Sequence, residues 1–288
     1  MRDMLQRWLL FIGLIVAMIA AGLGEAAAEG VVGMSKPWEW NFQPPYSPVM
    51  ERVHEFNLLI HIIIILIVAL VLGILSYVIF RFRARKNPTP AKTAHNTVLE
   101  VVWTILPVLA LVVIVIPSLK LLYFENRAER PDMTLKVVGH QWYWSYTYPD
   151  HGDLTFDSVP LQDADLKPGQ PRLLAVDNPV VVPVGATVQV LTASDDVIHS
   201  WAVPSLGMKK DATPGRVNET WFRAEQEGVF YGMCSELCGV NHYFMPIEVH
   251  AVSKEAFAAW VEQAKQKFAS TSNSRPQVEL VSNDSADR

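Results

Sequence analysis

The stretch "YGMCSELCGVNHYFMP", Tyr231 to Pro246, places two thiols, an imidazole and a thioether within twelve residues, and Cys234 and Cys238 are the only cysteines of the chain. Three readings of that cluster compete. A disulfide suits an even cysteine count on an oxidising side of a membrane, but leaves His242 and Met245 without a role. Zinc held by Cys234, Cys238, His242 and a distant His199 gives four donors and has no use for the thioether. Copper takes thiolate, imidazole and thioether together. The blue-copper pattern has one Cys, two His and a weak axial Met on a β-sandwich, with one His far upstream. Here His199 in "DDVIHSWAVPSLG" can be the upstream imidazole, and the chain then has one cysteine too many for a single ion. The extra thiol makes sense if both sulfurs bridge two copper ions, each capped by one histidine, with Met245 and a loop carbonyl as weak further ligands. Shared in this way, one electron changes little in the geometry, which suits electron transfer rather than chemistry on a substrate.

Around this loop, from about Pro131 to Ser253, short alternating runs such as "MTLKVVGHQWYWSYTY" and "MPIEVHAV" are separated by turn dipeptides, among them Pro168-Gly169 and Pro214-Gly215. About 120 residues of this kind imply a Greek-key β-sandwich or barrel. Within "HQWYWSYTY", strand alternation puts Trp142, Trp144, Tyr146 and Tyr148 on one face and Tyr143 on the other. After the sandwich, "SKEAFAAWVEQAKQKF" aligns Phe257, Trp260, Val261, Ala264 and Phe268 on one helix face, giving a C-terminal helix over 253–268. The Ser-, Asn- and Asp-rich tail 269–288 reads as disordered.

The rest of the chain is membrane. Half of the 288 residues are hydrophobic and 18% are charged, and the apolar ones collect in three N-terminal blocks. The first, with Arg2 and Arg7, an apolar core from Trp8 and the small residues Ala26, Ala27 and Ala28, reads as a signal peptide over 1–28 rather than a retained helix. An extracytoplasmic segment follows over 29–55. The charge-free run Phe56 to Phe80 and the run Val101 to Leu119 are each long enough to cross a hydrocarbon core, and make a transmembrane hairpin over 56–122. Arg81, Arg83, Arg85, Lys86 and Lys92 place the connecting loop, 81–97, in the cytoplasm. Both outer ends, and with them the sandwich over 130–252, then face the periplasm. The net charge of −5 argues against a nucleic-acid partner, which wants basic patches, and suits a cationic one.

His199 followed by Cys-Ser-Glu-Leu-Cys-Gly-x-Asn-His-x-x-Met resembles subunit II of the haem–copper cytochrome c oxidases, and "LEVVWTILP", "GHQWYWSYTY" and "HSWAVPSLGMKKDATPGR" extend the likeness over most of the mature chain. The subgroup it is most similar to is the bacterial aa3 type. The resemblance implies a cupredoxin-like fold on a two-helix anchor in the inner membrane. It implies that His199, Cys234, Cys238, His242 and Met245, with the Glu236 main-chain carbonyl, bind the dinuclear copper centre CuA. The Glu236 side chain then reaches a magnesium (or manganese) ion shared with subunit I. Trp142 becomes the point where electrons arrive from cytochrome c, with Asp177 and Asp196 as docking carboxylates and Asp150, Asp153 and Asp157 as neighbours. Glu100 marks the mouth of a proton pathway, although a carboxylate there also suits a helix N-terminus. His95 is a weaker companion, and His61 is expected to face subunit I.

In this scheme oxygen is reduced in subunit I, on haem a3 and CuB, with electrons relayed through haem a; subunit III is a further expected partner. The reaction is coupled to proton pumping. No Cys-x-x-Cys-His occurs, so no haem is expected in this chain. Thr147 departs from the glutamate common at its position in relatives, which alters the docking surface. Other classes fare worse. A quinol oxidase subunit II lacks the copper ligands, a nitrous-oxide reductase lacks the membrane hairpin, and a membrane-tethered copper carrier would have no partner subunits.

Overall fold

A computed structural model describes residues 33–89, 92–126, 128 and 130–268. The expected signal peptide, the first part of the 29–55 segment and the tail 269–288 lie outside these residues. Two long helices come first, α1 (Pro48–Arg81) and α2 (Thr97–Asn126). α1 starts eight residues before its charge-free run because Ser47 caps it: the Ser47 hydroxyl accepts from the Met50 amide at 3.0 Å and Pro48 supplies a preset first turn. Both helices are long and apolar enough to span a bilayer.

Ten strands follow: β1 (Met133–His140), β2 (Tyr143–Tyr148), β3 (Leu154–Ser158), β4 (Val180–Pro183), β5 (Val188–Ser194), β6 (His199–Val203), β7 (Met208–Ala212), β8 (Asn218–Phe222), β9 (Gly228–Cys234) and β10 (Pro246–Val252). They form two five-stranded sheets in the orders β3-β2-β1-β5-β8 and β4-β10-β9-β6-β7. β1 runs parallel to β5 and β10 parallel to β4; the other pairings are antiparallel. This is a cupredoxin-like sandwich. Alternation sends Leu135, Val137, Trp144, Tyr146, Phe156, Val188 and Val190 from one sheet against Trp201, Val203, Phe230, Ile247 and Val249 of the other. Each large apolar side chain so buried contributes roughly 1.5–3 kcal/mol.

Two tyrosines bury polar tips and satisfy them. The Tyr146 hydroxyl accepts from the Trp201 indole at 3.1 Å, and the Tyr148 hydroxyl donates to the Val181 carbonyl at 3.1 Å while accepting from its amide at 3.0 Å. Helix α3 (Lys254–Phe268) closes one side with Phe257, Val261 and Ala264 buried and Trp260 and Phe268 packed against the core.

The sandwich is bonded to the outer ends of both membrane helices. The last carbonyls of a helix lack partners within it. Here the Trp221 indole donates to the Phe124 carbonyl at 2.7 Å and the Thr220 hydroxyl to that of Glu125 at 3.0 Å. At the start of α1, the Ser47 hydroxyl donates to the Leu206 carbonyl at 2.7 Å, and the Tyr46 amide to that of Ser205 at 3.0 Å. The Arg52 guanidinium lies 3.5 Å above the Phe124 ring.

Candidate metal centre

β9 ends at Cys234 and β10 begins at Pro246, so the opening motif is a connection between adjacent strands. Its neck is tied by the Cys234 amide donating to the Met245 carbonyl at 2.9 Å. The register of β6 on β9, Trp201 opposite Cys234, brings the first residue of β6, His199, beside the first cysteine. Residues far apart in sequence thus meet at one end of one sheet. His199 is fully buried, and Cys234, Cys238 and Met245 belong to the sandwich core itself.

The two sulfurs lie 3.8 Å apart. A disulfide requires about 2.05 Å, so these are separate, buried thiols side by side. Each has its own imidazole. His199 Nδ1 is 3.9 Å from the Cys234 sulfur, and His242 Nδ1 is 3.7 Å from that of Cys238. The Met245 sulfur is 3.9 Å from Cys238, and the Glu236 carbonyl is 3.3 Å from Cys234. The donor atoms of His199, Cys234 and Cys238 all fall within 4.8 Å of one another. Soft sulfur donors mixed with imidazoles fit a soft metal, and one imidazole per thiol fits a pair of ions better than one. Four equivalent donors around a single tetrahedral zinc would leave the thioether unused.

Burial resists charge on both sulfurs. For Cys234, hydrogen bonding to His199, to the backbone of Glu236 and Ser200 and to His242 overcomes it and draws the thiol down to about 6. For Cys238, burial and the neighbouring Cys234 charge push it up to about 12. The pair therefore loses its first proton early and its second late.

Around the donors lies a shell that the sequence did not announce. The Asp196 carboxylate accepts from His199 Nε2 at 2.8 Å through one oxygen and from the Gln141 amide at 2.6 Å through the other. Burial resists its charge, but the bonds from His199, Val197 and Gln141 prevail and hold the carboxyl below its ordinary value. With Nε2 donating to Asp196, the lone pair of Nδ1 points at the thiol side, the usual device for fixing a ligand tautomer. Gln141 continues the clamp, its side-chain amide donating to the Cys238 carbonyl at 2.7 Å. Two glycines make room. A Cβ on Gly139 would sit 2.8 Å from the His199 ring, and Gly239, at φ +121°, would press one to 3.1 Å from the Trp142 indole.

Several expected placements change. Trp142 is not on the aromatic strand face: Gln141 and Trp142 form the turn between β1 and β2, while Trp144, Tyr146 and Tyr148 fill the core. A two-residue turn interrupts the period-two count, which the continuous aromatic run conceals. At the turn the Trp142 indole donates to the Cys238 carbonyl at 3.2 Å and stays partly exposed. Asp196, expected to face a docking partner, is exposed, and its two oxygens also accept from His199 and Gln141. Asp150 and Asp153 are not beside Trp142, because β2 carries them to its far end, about 20 Å away at 3.3 Å per residue. There Asp150 accepts from the Thr134 amide at 2.7 Å.

Asp157, on β3, is nearer and accepts from the Ser145 hydroxyl at 2.6 Å. Asp177 is exposed and accepts from the Val159 amide at 2.7 Å. The Glu236 side chain is exposed at the loop tip. Glu100 accepts from the Asn96 amide at 3.1 Å, a capping bond at the start of α2, and His95 and His61 are exposed. Sequence reasoning missed Gln141, Gly139 and Gly239; an acidic residue three positions before His199 was the one visible hint of a second layer.

Residues 133–252 match the family described as cytochrome c oxidase subunit II, periplasmic domain, and residues 35–121 match its transmembrane domain. A probable cytochrome c oxidase subunit 2 of Rickettsia bellii is 52% identical over 239 residues, which cover 83% of this chain and 89% of the relative. The cytochrome c oxidase subunit 2 of Cereibacter sphaeroides is 42% identical over 269 residues, covering 87% and 88%. Among solved structures, the periplasmic domain of subunit II of cytochrome oxidase from Bradyrhizobium japonicum shares 54% identity, covers 49% of this chain and 99% of that one, and gives a TM-score of 0.47.

Proposed function

The chain belongs to the cytochrome c oxidase subunit II family, and from that premise we propose that its outer domain holds the dinuclear copper centre CuA and passes electrons from cytochrome c to haem in subunit I. One observation carries the reading: two unlinked thiols 3.8 Å apart, each with its own imidazole within 4 Å and a thioether alongside. When bound, the copper pair supplies a one-electron carrier that rearranges little between its two states.

The chain's own residues prepare that role. His199, Cys234, Cys238, His242 and Met245 offer side-chain donors and Glu236 its carbonyl. Asp196 holds the His199 proton on Nε2, so that Nδ1 is free to ligate. Burial of both thiols keeps water from the sulfurs and lowers the rearrangement that a charge change demands. Trp142 is the proposed electron port: its partly exposed ring can meet a donor, and its N–H reaches the Cys238 carbonyl, a hydrogen-bonded route from surface to ligand backbone.

The exposed Glu236 carboxylate at the loop tip is the proposed half-site for the magnesium shared with subunit I. Glu100 is proposed as the proton-pathway mouth in addition to its capping bond. Asp177 and Asp196, with Asp157 as a neighbour, are the proposed docking acids for a cationic donor. The signal-peptide pattern expected of residues 1–28 and the basic 81–97 loop support a periplasmic copper domain on a two-pass chain. Purified full-length protein loaded with copper is expected to be purple, with two coppers per chain and a mixed-valence electron spin signal. A colourless protein carrying one zinc overturns the reading.

A further inference from the structure

The segment "SKPWEWNFQ", Ser35 to Gln43, precedes α1 and has no part in the metal centre. It is a closed loop. The Gln43 side-chain amide donates to the Ser35 hydroxyl at 3.1 Å across its neck, and a turn inside it joins the Glu39 amide to the Lys36 carbonyl at 3.2 Å. At the tip Trp38 is 98% and Trp40 80% exposed. Trp38 also adopts φ +65°, a left-handed backbone that bulky residues seldom take. Two indoles held out in this way lack the apolar partners that such side chains ordinarily find.

The loop is fastened to α1 at a particular height. His54 Nε2 hydrogen-bonds the Gln43 carbonyl at 2.9 Å, the Asn57 side-chain amide donates to Asn41 Oδ1 at 3.0 Å, and the Phe42 ring lies 6.0 Å from that of His54. These fastenings bracket Glu55 and Phe56, where the last outer charge of α1 gives way to its charge-free run. That run, Phe56 to Phe80, extends about 37 Å at 1.5 Å per residue, against about 30 Å of hydrocarbon. The outer edge of the hydrocarbon therefore falls within about two turns of Glu55. Trp40 and Trp38 are one and three residues from Asn41, within about 11 Å of it along the chain.

We propose that this loop is an interfacial anchor, in which Trp38 and Trp40 sit at the boundary between headgroups and acyl chains of the outer leaflet and fix the depth of the hairpin. Indole suits that boundary because its body is apolar and its N–H can remain among polar headgroups. The loop stands level with the hydrocarbon edge rather than up on the sandwich, which favours lipid over a second protein chain. The inference does not depend on the copper reading; it needs only that the hairpin spans a bilayer.

The test uses the assembled oxidase in lipid nanodiscs doped with phosphatidylcholine carrying a diazirine either near the glycerol or at the acyl-chain end. After irradiation, adducts are mapped by mass spectrometry. Residues 35–43 are expected to label several-fold more with the shallow probe than with the deep one, while residues 58–79 label with the deep probe. A Trp38→Ser, Trp40→Ser double variant is expected to lose most of the shallow labelling with metal content unchanged. No labelling of 35–43 beside a labelled helix means that another chain covers the loop, and overturns the proposal. Equal labelling by both probes, or a double variant that labels like the parent, overturns it too. If the variant fails to assemble, the two-probe comparison on the parent chain still decides.

Discussion

Cys234 terminates a strand and is held with a histidine that begins another strand, whereas Cys238, His242 and Met245 are set by a connection with only short turns inside it. The first half of the centre takes its geometry from sheet register: Trp201 opposite Cys234 puts His199 in place, and Asp196 locks its ring. The second half takes its geometry from a loop whose main anchors are the Cys234 amide on Met245 and two donors, Gln141 and Trp142, on the Cys238 carbonyl. Precision comes from the sheet on one side and from a hydrogen-bonded turn on the other. Loss of a sulfur from either half is therefore expected to dismantle the site, loss of a partner that orients the strand half to weaken it, and loss of the weak ligand of the loop half to retune it.

The largest effect tests whether the halves are interdependent. Cys238→Ser leaves the strand half intact but removes the second sulfur, and is expected to abolish the two-copper spectrum; an unchanged mixed-valence signal contradicts shared thiolates. Trp142→Phe comes next. It keeps the ring and loses the N–H on the Cys238 carbonyl, so copper per chain is expected to stay constant while electron uptake from cytochrome c collapses in stopped-flow traces. Normal uptake refutes the port.

Asp196→Ala strikes the strand half alone, by freeing the His199 ring. Copper affinity, measured by competition with a chelator, is expected to fall about 10–100-fold, the usual cost of losing an outer partner of a ligand. An unchanged affinity means that burial, not Asp196, orients His199. Proton linkage sharpens the same contrast. Between about 6 and about 12 the thiol pair holds one proton, which metal must expel. Lower proton concentration then favours loading, so affinity is expected to rise roughly tenfold per unit from about pH 7.5 to 9. A flat profile there breaks the assignment. The smallest effect belongs to Met245→Leu, nearly volume-conserving in the core, with a stability cost below about 1.5 kcal/mol by chemical denaturation. The copper potential and spectrum are expected to shift while both coppers remain; loss of copper contradicts a weak axial role.

Much of this was legible in the residues because the signals were compositional or local. The charge-free run from Phe56 and the alternation in β1, β2 and β10 needed no partner to be read. The donors in 234–245 lie so close in sequence that one loop had to hold them. What escaped depended on contacts across the fold. Trp142 left the strand because one turn at Gln141-Trp142 breaks a count of alternating faces, and no residue there is a strong turn former. The bonding of Asp196 to the site is decided by His199 and by an amide 55 positions upstream. The parallel pairings of β1 with β5 and β10 with β4 have no local mark, since alternation reports which face a residue takes and not which strand lies beside it.

The bonds from Trp221 and Thr220 to the end of α2 bear on how the copper domain can be handled in the laboratory. Cutting the chain between Asn126 and Met133 to obtain a water-soluble piece strips the indole of its acceptor and uncovers the small cluster in which Val49, Phe124 and Trp221 pack. The severed fragment carries a sticky scar on the surface where the anchor was. Replacing Trp221 with a polar residue in the fragment alone is the rational repair, and would be damaging in the intact chain.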